Sequence, residues 1–248
     1  MHPFPVGRYI RGMSSALHPL PRAQHFNLTR PLQLLDLQLH CLSPRRPAEH
    51  PELYAEAYAL WRQIWSDTMV EIGSDQALDC DDFARADEIL VLCSGREAIG
   101  LALLQRFDPH AAAEQVDSCD HPCPPEALEQ LAARGVRDLL VGRYFTLAPG
   151  FRKRAALPFS LKDLLLGAVV GRFLASGAQL LLGAMRDERG MQRLGYRFGA
   201  QLLCGGLSYH SAAVSLLQFQ PADVRTALAS PRHDPRMRQL WQRWGITS

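Results

Sequence analysis

Lysine is nearly missing from this 248-residue chain: of 27 basic residues, only Lys153 and Lys162 are lysines. Set against 25 acidic residues, these leave a formal net charge of +2. That balance excludes the one-sided charge of a nucleic-acid coating or of an acidic solvating protein, so no nucleic-acid partner is expected. No run approaches the roughly 18–20 consecutive apolar residues of a membrane-spanning helix, because Arg, Asp, Glu or Gln interrupts each one. The N-terminal stretch has charges but no apolar segment of the kind a secretory signal carries. Cys41, Cys80, Cys93, Cys119, Cys123 and Cys204 are too thinly spread for a disulfide scaffold. A cytoplasmic protein with reduced thiols is expected.

Several common chemistries lack their residues. There is no phosphate-cradling G-x-x-x-x-G-K, no G-x-S-x-G nucleophile elbow and no H-E-x-x-H zinc pair. Cys119-Asp120-His121-Pro122-Cys123 offers three ligands where a structural zinc needs four, so no metal is expected. No resident cofactor is implied either.

What is present is a chain that is 47% apolar, enough for one sizeable core. Residues 1–30, with several prolines and histidines and no sustained periodicity, read as an irregular extension. Residues 31–220 read as the main domain and 221–248 as a basic helical tail. Leu35, Leu37, Leu39 and Cys41 alternate with polar residues, the period of a half-buried strand within 32–42. From Leu53 to Met69, apolar residues recur at spacings of three and four, which predicts a long amphipathic helix. GSDQALDCDDFARAD follows as an acidic loop, and residues 88–107 read as a hairpin turning at Ser94-Gly95-Arg96.

Residues 108–137 read as a loop excursion carrying one short helix, PEALEQLAARG. A strand from Asp138 to Leu147 is closed by Ala148-Pro149-Gly150. A helix follows, capped by Ser160 and stopped at Gly177. Ala178 to Ala184 is a buried strand, RDERGMQRLGY a helix ending at Gly195, and 197–203 and 212–219 the last strands around a turn-rich GGLSYHS. The order is β-α-β-β-loop-β-α-β-α-β-β. It predicts an α/β fold with a mixed, mostly antiparallel sheet and helices on both faces.

The strand, basic turn and helix from Asp138 to Gly177 place Arg152, Lys153 and Arg154 before a helix N-terminus, a setting suited to a phosphate-bearing arm. Here the chain resembles the GNAT superfamily of N-acyltransferases, and AMRDERGMQRLGYRFG resembles its strand-helix ending at Leu194-Gly195-Tyr196. The superfamily's glycine-rich R-x-x-G-x-G/A is replaced by Arg152-Lys153-Arg154-Ala155-Ala156. That departure is shared by the long-chain N-acyl amino acid synthases and the acyl-homoserine-lactone synthases. Arg62 with Trp65 resembles their first-helix motif, Asp79 to Asp82 with Phe83 their "D-x-F-D" loop, and Arg143-Tyr144-Phe145 their "S-R-F" strand. Gly206-x-x-Tyr209-His210 resembles a late "Y-H-G" element of the amino acid synthases.

The resemblance implies a GNAT-like enzyme that moves a medium or long acyl chain from acyl-carrier protein, or from acyl-CoA as co-substrate, to the amine of an amino acid or similar small amine. The missing glycine loop favours a carrier-protein partner. His210 is the candidate base and Tyr196 the candidate acid for the leaving thiol, with Arg143 beside them. Arg62, Trp65, Asp79, Asp81 and Asp82 would hold the acceptor, while Tyr144, Phe145, Thr146, Leu147, Arg152, Lys153 and Arg154 would hold the donor. For Arg62 and Arg143 the choice stands between an acceptor carboxylate and ion pairing with the acidic loop. Trp61, Trp65, Leu165, Val169 and Phe173 have the spacing of an acyl tunnel or of plain core.

Two other readings remain open. A lactone-type signal synthase would carry Glu where this chain has Leu140, and an inactive member of the fold would bind an acyl ligand without turnover. Arg236, Arg238, Trp241, Arg243 and Trp244 form a tail segment that either touches an anionic membrane surface or packs as a terminal helix.

Overall fold

The computed structural model describes residues 36–74, 78–79, 81–111, 123–152 and 157–246. The expected N-terminal extension, Lys153, Arg154 and Cys119-Asp120-His121 lie outside them. So do Leu35 and the start of the first expected strand.

Seven strands form one sheet: β1 (Leu37–Leu42), β2 (Glu88–Ser94), β3 (Glu97–Phe107), β4 (Leu139–Leu147), β5 (Leu180–Arg186), β6 (Ala200–Tyr209) and β7 (Ala212–Phe219), in the order β1-β2-β3-β4-β5-β7-β6. Every neighbouring pair is antiparallel except β4 and β5, which are parallel. Parallel strands need a crossover, and the helix α4 (Leu161–Ser176) supplies it. Its ends are those the sequence predicts. Ser160 accepts a hydrogen bond from the Lys162 amide, and Gly177 stops the helix at φ 74°, where a side chain would be strained.

The central strands are buried along nearly their whole length; Ile89 to Cys93 of β2 are all at or below 1% exposure. Such runs need cover on both faces. Helix α1 (Pro51–Glu71) packs over β3 and β4, and α4 packs across β2 to β5. Helix α3 (Pro125–Ala133), inside the predicted excursion, seats Leu128 and Leu131 on Leu139, Leu182 and Leu216.

Four local expectations are corrected. Cys41 is exposed rather than core-facing, because the Arg172–Glu88 ion pair and not apolar chain lies beside it on this edge strand. The acidic segment is not all loop: residues Asp81–Arg85 form the short helix α2. Helix α5 (Met191–Arg197) runs past Gly195, whose bare Cα lets Leu217 approach. GGLSY is not a turn but the second half of β6, which absorbs its two glycines at register shifts.

The tail is part of the core. Helix α6 (Pro221–Leu228) packs on α4, and α7 (Pro235–Arg243) lays Trp241 over Gly167, with its indole N–H donating to Leu164 O at 3.0 Å. Trp241 is 3% exposed and so is not available to a membrane surface; Arg243 donates to Leu37 O. Among the described residues, no helix is long and apolar enough to cross a membrane.

Candidate functional site

Strands β4 and β5 pair only from Leu139↔Leu180 to Gly142↔Gly183. Beyond that point β4 continues to Leu147, while β5 follows β7 to the pair Arg186↔Val214. The two strands part, and the gap opens into a cavity of about 250 Å³. Its interior wall is apolar, with Leu166 and Val169 from α4, Leu181, Phe219 and, from α1, Ile64 and Met69. At its exposed end stand Glu71, Arg152, Lys162 and Arg189. Along the parted stretch, the β4 backbone has no β5 partner, leaving an unpaired sheet edge inside the protein.

A bulge sits on that edge. Leu101 faces Thr146 and Leu103 faces Arg143, so Ala102 alone opposes both Tyr144 and Phe145. Tyr144 takes φ 53°, a conformation an aromatic residue adopts at a cost. The bulge has a direct chemical result. Consecutive residues of a regular strand point to opposite faces, yet the side chains of Arg143 and Tyr144 both reach one carboxylate, that of Asp82. Arg143 Nη2 donates to Asp82 Oδ2 at 3.2 Å, and the Tyr144 hydroxyl donates to the same oxygen. Arg143 also donates to Gln105 Oε1 at 3.3 Å and lies 5.2 Å above the Tyr144 ring.

Burial works against the Arg143 charge, but Asp82, Tyr144 and Tyr209 outweigh it and raise its pKa above the ordinary arginine value. Burial, and then the bond to Asp82, push the Tyr144 phenol well above its usual range, so it remains a donor.

Asp82 is delivered by α2, and its neighbour Phe83 explains how. Phe83 is fully buried among Tyr54, Tyr58 and Trp61, with ring centroids 5.3 Å apart in each case. Anchoring Phe83 draws Asp82 inward to 5% exposure. Asp79 and Asp81 are exposed, and Asp79 pairs with Arg85. The acidic trio expected to hold an acceptor is therefore divided, with only Asp82 turned inward. For Arg143 the structure realises ion pairing with that segment, and Arg62 is not among the cavity-lining residues.

Trp65 and Thr146, expected on the acceptor and donor sides, are bonded to each other. The indole N–H donates to Thr146 Oγ1 at 2.9 Å, and that hydroxyl donates to Tyr144 O at 2.6 Å, bracing the bulge. Phe145, Leu147, Arg152, Trp65 and Val169 line the cavity, whereas Trp61, Leu165 and Phe173 are core. Tyr196 is 45% exposed on α5 and is not brought to the cavity. Tyr209, named in the sequence only as part of the Gly206-x-x-Tyr209-His210 element, lines it instead, as do Arg186 and Arg189; the bulges of β6 break the period-two alternation that would have assigned its side chain to a face.

His210 lines the cavity from the β6–β7 turn, where Tyr209↔Ala212 is the last pair and His210 and Ser211 have φ 48° and 66°. Two positive values in a two-residue loop make a type I′ turn, which favours Asn-Gly. Ser211→Gly relieves one strained residue and is expected to raise stability by about 1 kcal/mol, read as a shifted urea midpoint with unchanged slope. An unchanged or lowered midpoint would show that the turn carries no such strain.

No family model and no curated protein matches the chain. Solved structures do. FeeM, an N-acyl amino acid synthase from uncultured soil microbes, is similar at TM-score 0.54 and 14% identity, over 77% of this chain and 93% of that one. BjaI, a CoA-dependent acyl-homoserine lactone synthase, gives 0.54 and 14% over 86% and 91%. LasI, an acyl-homoserine lactone synthase, gives 0.50 and 16% over 78% and 93%. At such identities the likeness is one of fold, and the α/β, mostly antiparallel, GNAT-like sheet with helices on both faces is the fold class expected from the sequence; the parting of β4 and β5 is a finding of the structure.

Proposed function

We propose that this chain, built on the GNAT fold, is an N-acyltransferase that moves a medium or long acyl chain from a carrier-protein or CoA thioester to the amine of an amino acid or similar small amine. The observation that carries this reading is the cavity between β4 and β5, apolar within, polar at Arg143, Tyr209 and His210, and bordered by the unpaired β4 edge. A pantetheine arm has amide groups that pair with such an edge as an added strand does. The acyl chain then lies against Leu166, Val169 and Phe219, out of water.

The reaction needs a neutral amine beside the thioester carbonyl. Attack forms a C–N bond and a tetrahedral oxyanion, and collapse breaks the C–S bond. One proton leaves the nitrogen and one reaches the sulfur, giving amide and free thiol. His210 is the group assigned to the first transfer and Tyr209, in place of Tyr196, to the second. The Asp82–Arg143–Tyr144 cluster holds β4 in the bulged form that shapes the wall where the carbonyl sits. The lactone reading is weaker because Leu140, where those synthases carry an acid, is buried apolar core.

The test is purified protein with octanoyl-carrier protein and octanoyl-CoA in parallel against a panel of amino acids, with products read by mass spectrometry. An N-octanoyl amino acid that forms with one donor and falls at least about 100-fold in His210→Ala is expected. Donor binding without any product would favour a binding module, and a lactone that requires S-adenosylmethionine would favour a signal synthase. Either result overturns the proposal.

A further inference from the structure

The exposed end of the cavity carries more positive charge than its own acids cancel. Among the described residues, Arg152, Lys162, Arg186 and Arg189 line it against a single lining carboxylate, Glu71. Glu71 is shared: it pairs with Arg189 and lies 3.9 Å from Arg186, which also pairs with Glu188 outside the lining. The crowding is felt at Arg152, where burial and then repulsion from Arg189 lower the pKa, with Glu71 opposing. Arg152 donates through Nε to Leu147 O at 3.0 Å, and its terminal nitrogens meet no acceptor among the described residues.

Arg186 adds an independent observation. Its side chain is 16% exposed, and its Nε is buried with no hydrogen-bond acceptor among the described residues. A guanidinium N–H inside a protein is normally matched. Arg143, another arginine of the cavity lining, is matched by Asp82 and Gln105. The unmet donor capacity therefore lies with Arg186 at the end of β5 and Arg152 after β4, and Arg189, in the turn after β5, is near enough to repel Arg152.

The geometry points to an oxyanion-binding subsite formed by Arg186 and Arg189, with Arg152 facing them, that takes the phosphate or carboxylate of a ligand whose body lies in the cavity. Arginine suits this role because its planar fork matches two oxygens at once. The two sources share that chemistry: a donor arm ends in a phosphate and an amino acid acceptor in a carboxylate. The subsite stands whichever acyl transfer the cavity serves.

Binding without turnover tests it. Calorimetry compares S-octanoyl-4′-phosphopantetheine with S-octanoylpantetheine, and N-octanoylglycine with its amide. The anionic member of one pair should bind about tenfold more tightly, and that pair names the source. The advantage should vanish in Arg186→Gln and in Arg189→Gln, the latter at a half-exposed turn residue whose loss leaves the fold intact. An anion preference that survives both substitutions overturns the subsite, as does binding of both pairs with no preference.

Inorganic phosphate is titrated separately by thermal unfolding, because it needs no acyl body. It should stabilise the wild type and not Arg189→Gln. Should none of the four acyl compounds bind, the acyltransferase reading fails, and phosphate alone decides the subsite: equal stabilisation of wild type and variant rejects it.

Discussion

Asp82→Ala is expected to lower folding stability by about 3–5 kcal/mol, among the largest effects of any single substitution in this chain. The reason is what it leaves behind. Arg143 is 13% exposed and its main counter-charge is Asp82, so the variant buries an uncompensated guanidinium beside a phenol that has lost its acceptor. The double variant Asp82→Leu/Arg143→Met replaces the pair with apolar groups of similar size and should recover most of the loss, since a buried ion pair contributes little net against a hydrophobic substitute. On the proposed reading, acyl transfer should be absent in both, because the bulge loses the side chains that hold it. Urea unfolding measures the first effect. A single variant that loses less than about 1 kcal/mol would mean that Gln105 and Tyr209 alone satisfy Arg143.

The second large effect lies on the far side of α4. Trp241→Ala should cost about 3–5 kcal/mol, the range for removing a buried large aromatic side chain. Gly167→Ala should cost about 1–3 kcal/mol by overpacking, because a Cβ there would overlap the indole ring. The ring cannot retreat easily: Phe198 and His233 stand edge-on to it, with centroids 5.9 and 5.1 Å away. The two changes should not add. Without the indole, Gly167→Ala fills vacated space and gains helix propensity, so its sign should reverse to a stabilisation of up to about 1 kcal/mol. A cost that persists in the Trp241→Ala background would place the clash elsewhere.

Much of this architecture is legible before any coordinates. The apolar spacing of α1, the Ser94-Gly95-Arg96 turn, the Ser160 cap and the Gly177 stop each correspond to a local rule, and together they give the sheet its sequence of elements. The site is less legible because its features are exceptions to such rules. An acidic stretch reads as solvated, and only the tertiary anchoring of Phe83 turns Asp82 inward. The bulge at Tyr144 carries no glycine to announce it, and the β6–β7 turn uses His-Ser where Asn-Gly would signal it. Arg186 and Arg189 look like ordinary surface charge until the parting of β4 and β5 puts them at the end of a cavity. Tyr196 shows the converse: the resemblance singles it out, yet α5 leaves it 45% exposed and outside the cavity lining.

The parting of β4 and β5 has a consequence for how such a protein can change over generations. The strands before the crossover, β1 to β4, form one antiparallel leaf, and β5, β7 and β6 form another; four residue pairs join them within the sheet, and α3 and α4 pack across the seam. The bulge with its Arg143–Asp82 support belongs wholly to the first leaf. Arg186, Arg189, Tyr209 and His210 belong to the second. Mutations that reshape one set reach the other through the side chains that cross the gap, Tyr209 against Arg143 and Arg189 against Glu71, so preferences for the two halves of a ligand drift separately wherever a change avoids those contacts. The joining rungs, which end where Gly142 and Gly183 face each other, and those two contacts are what tie the halves together.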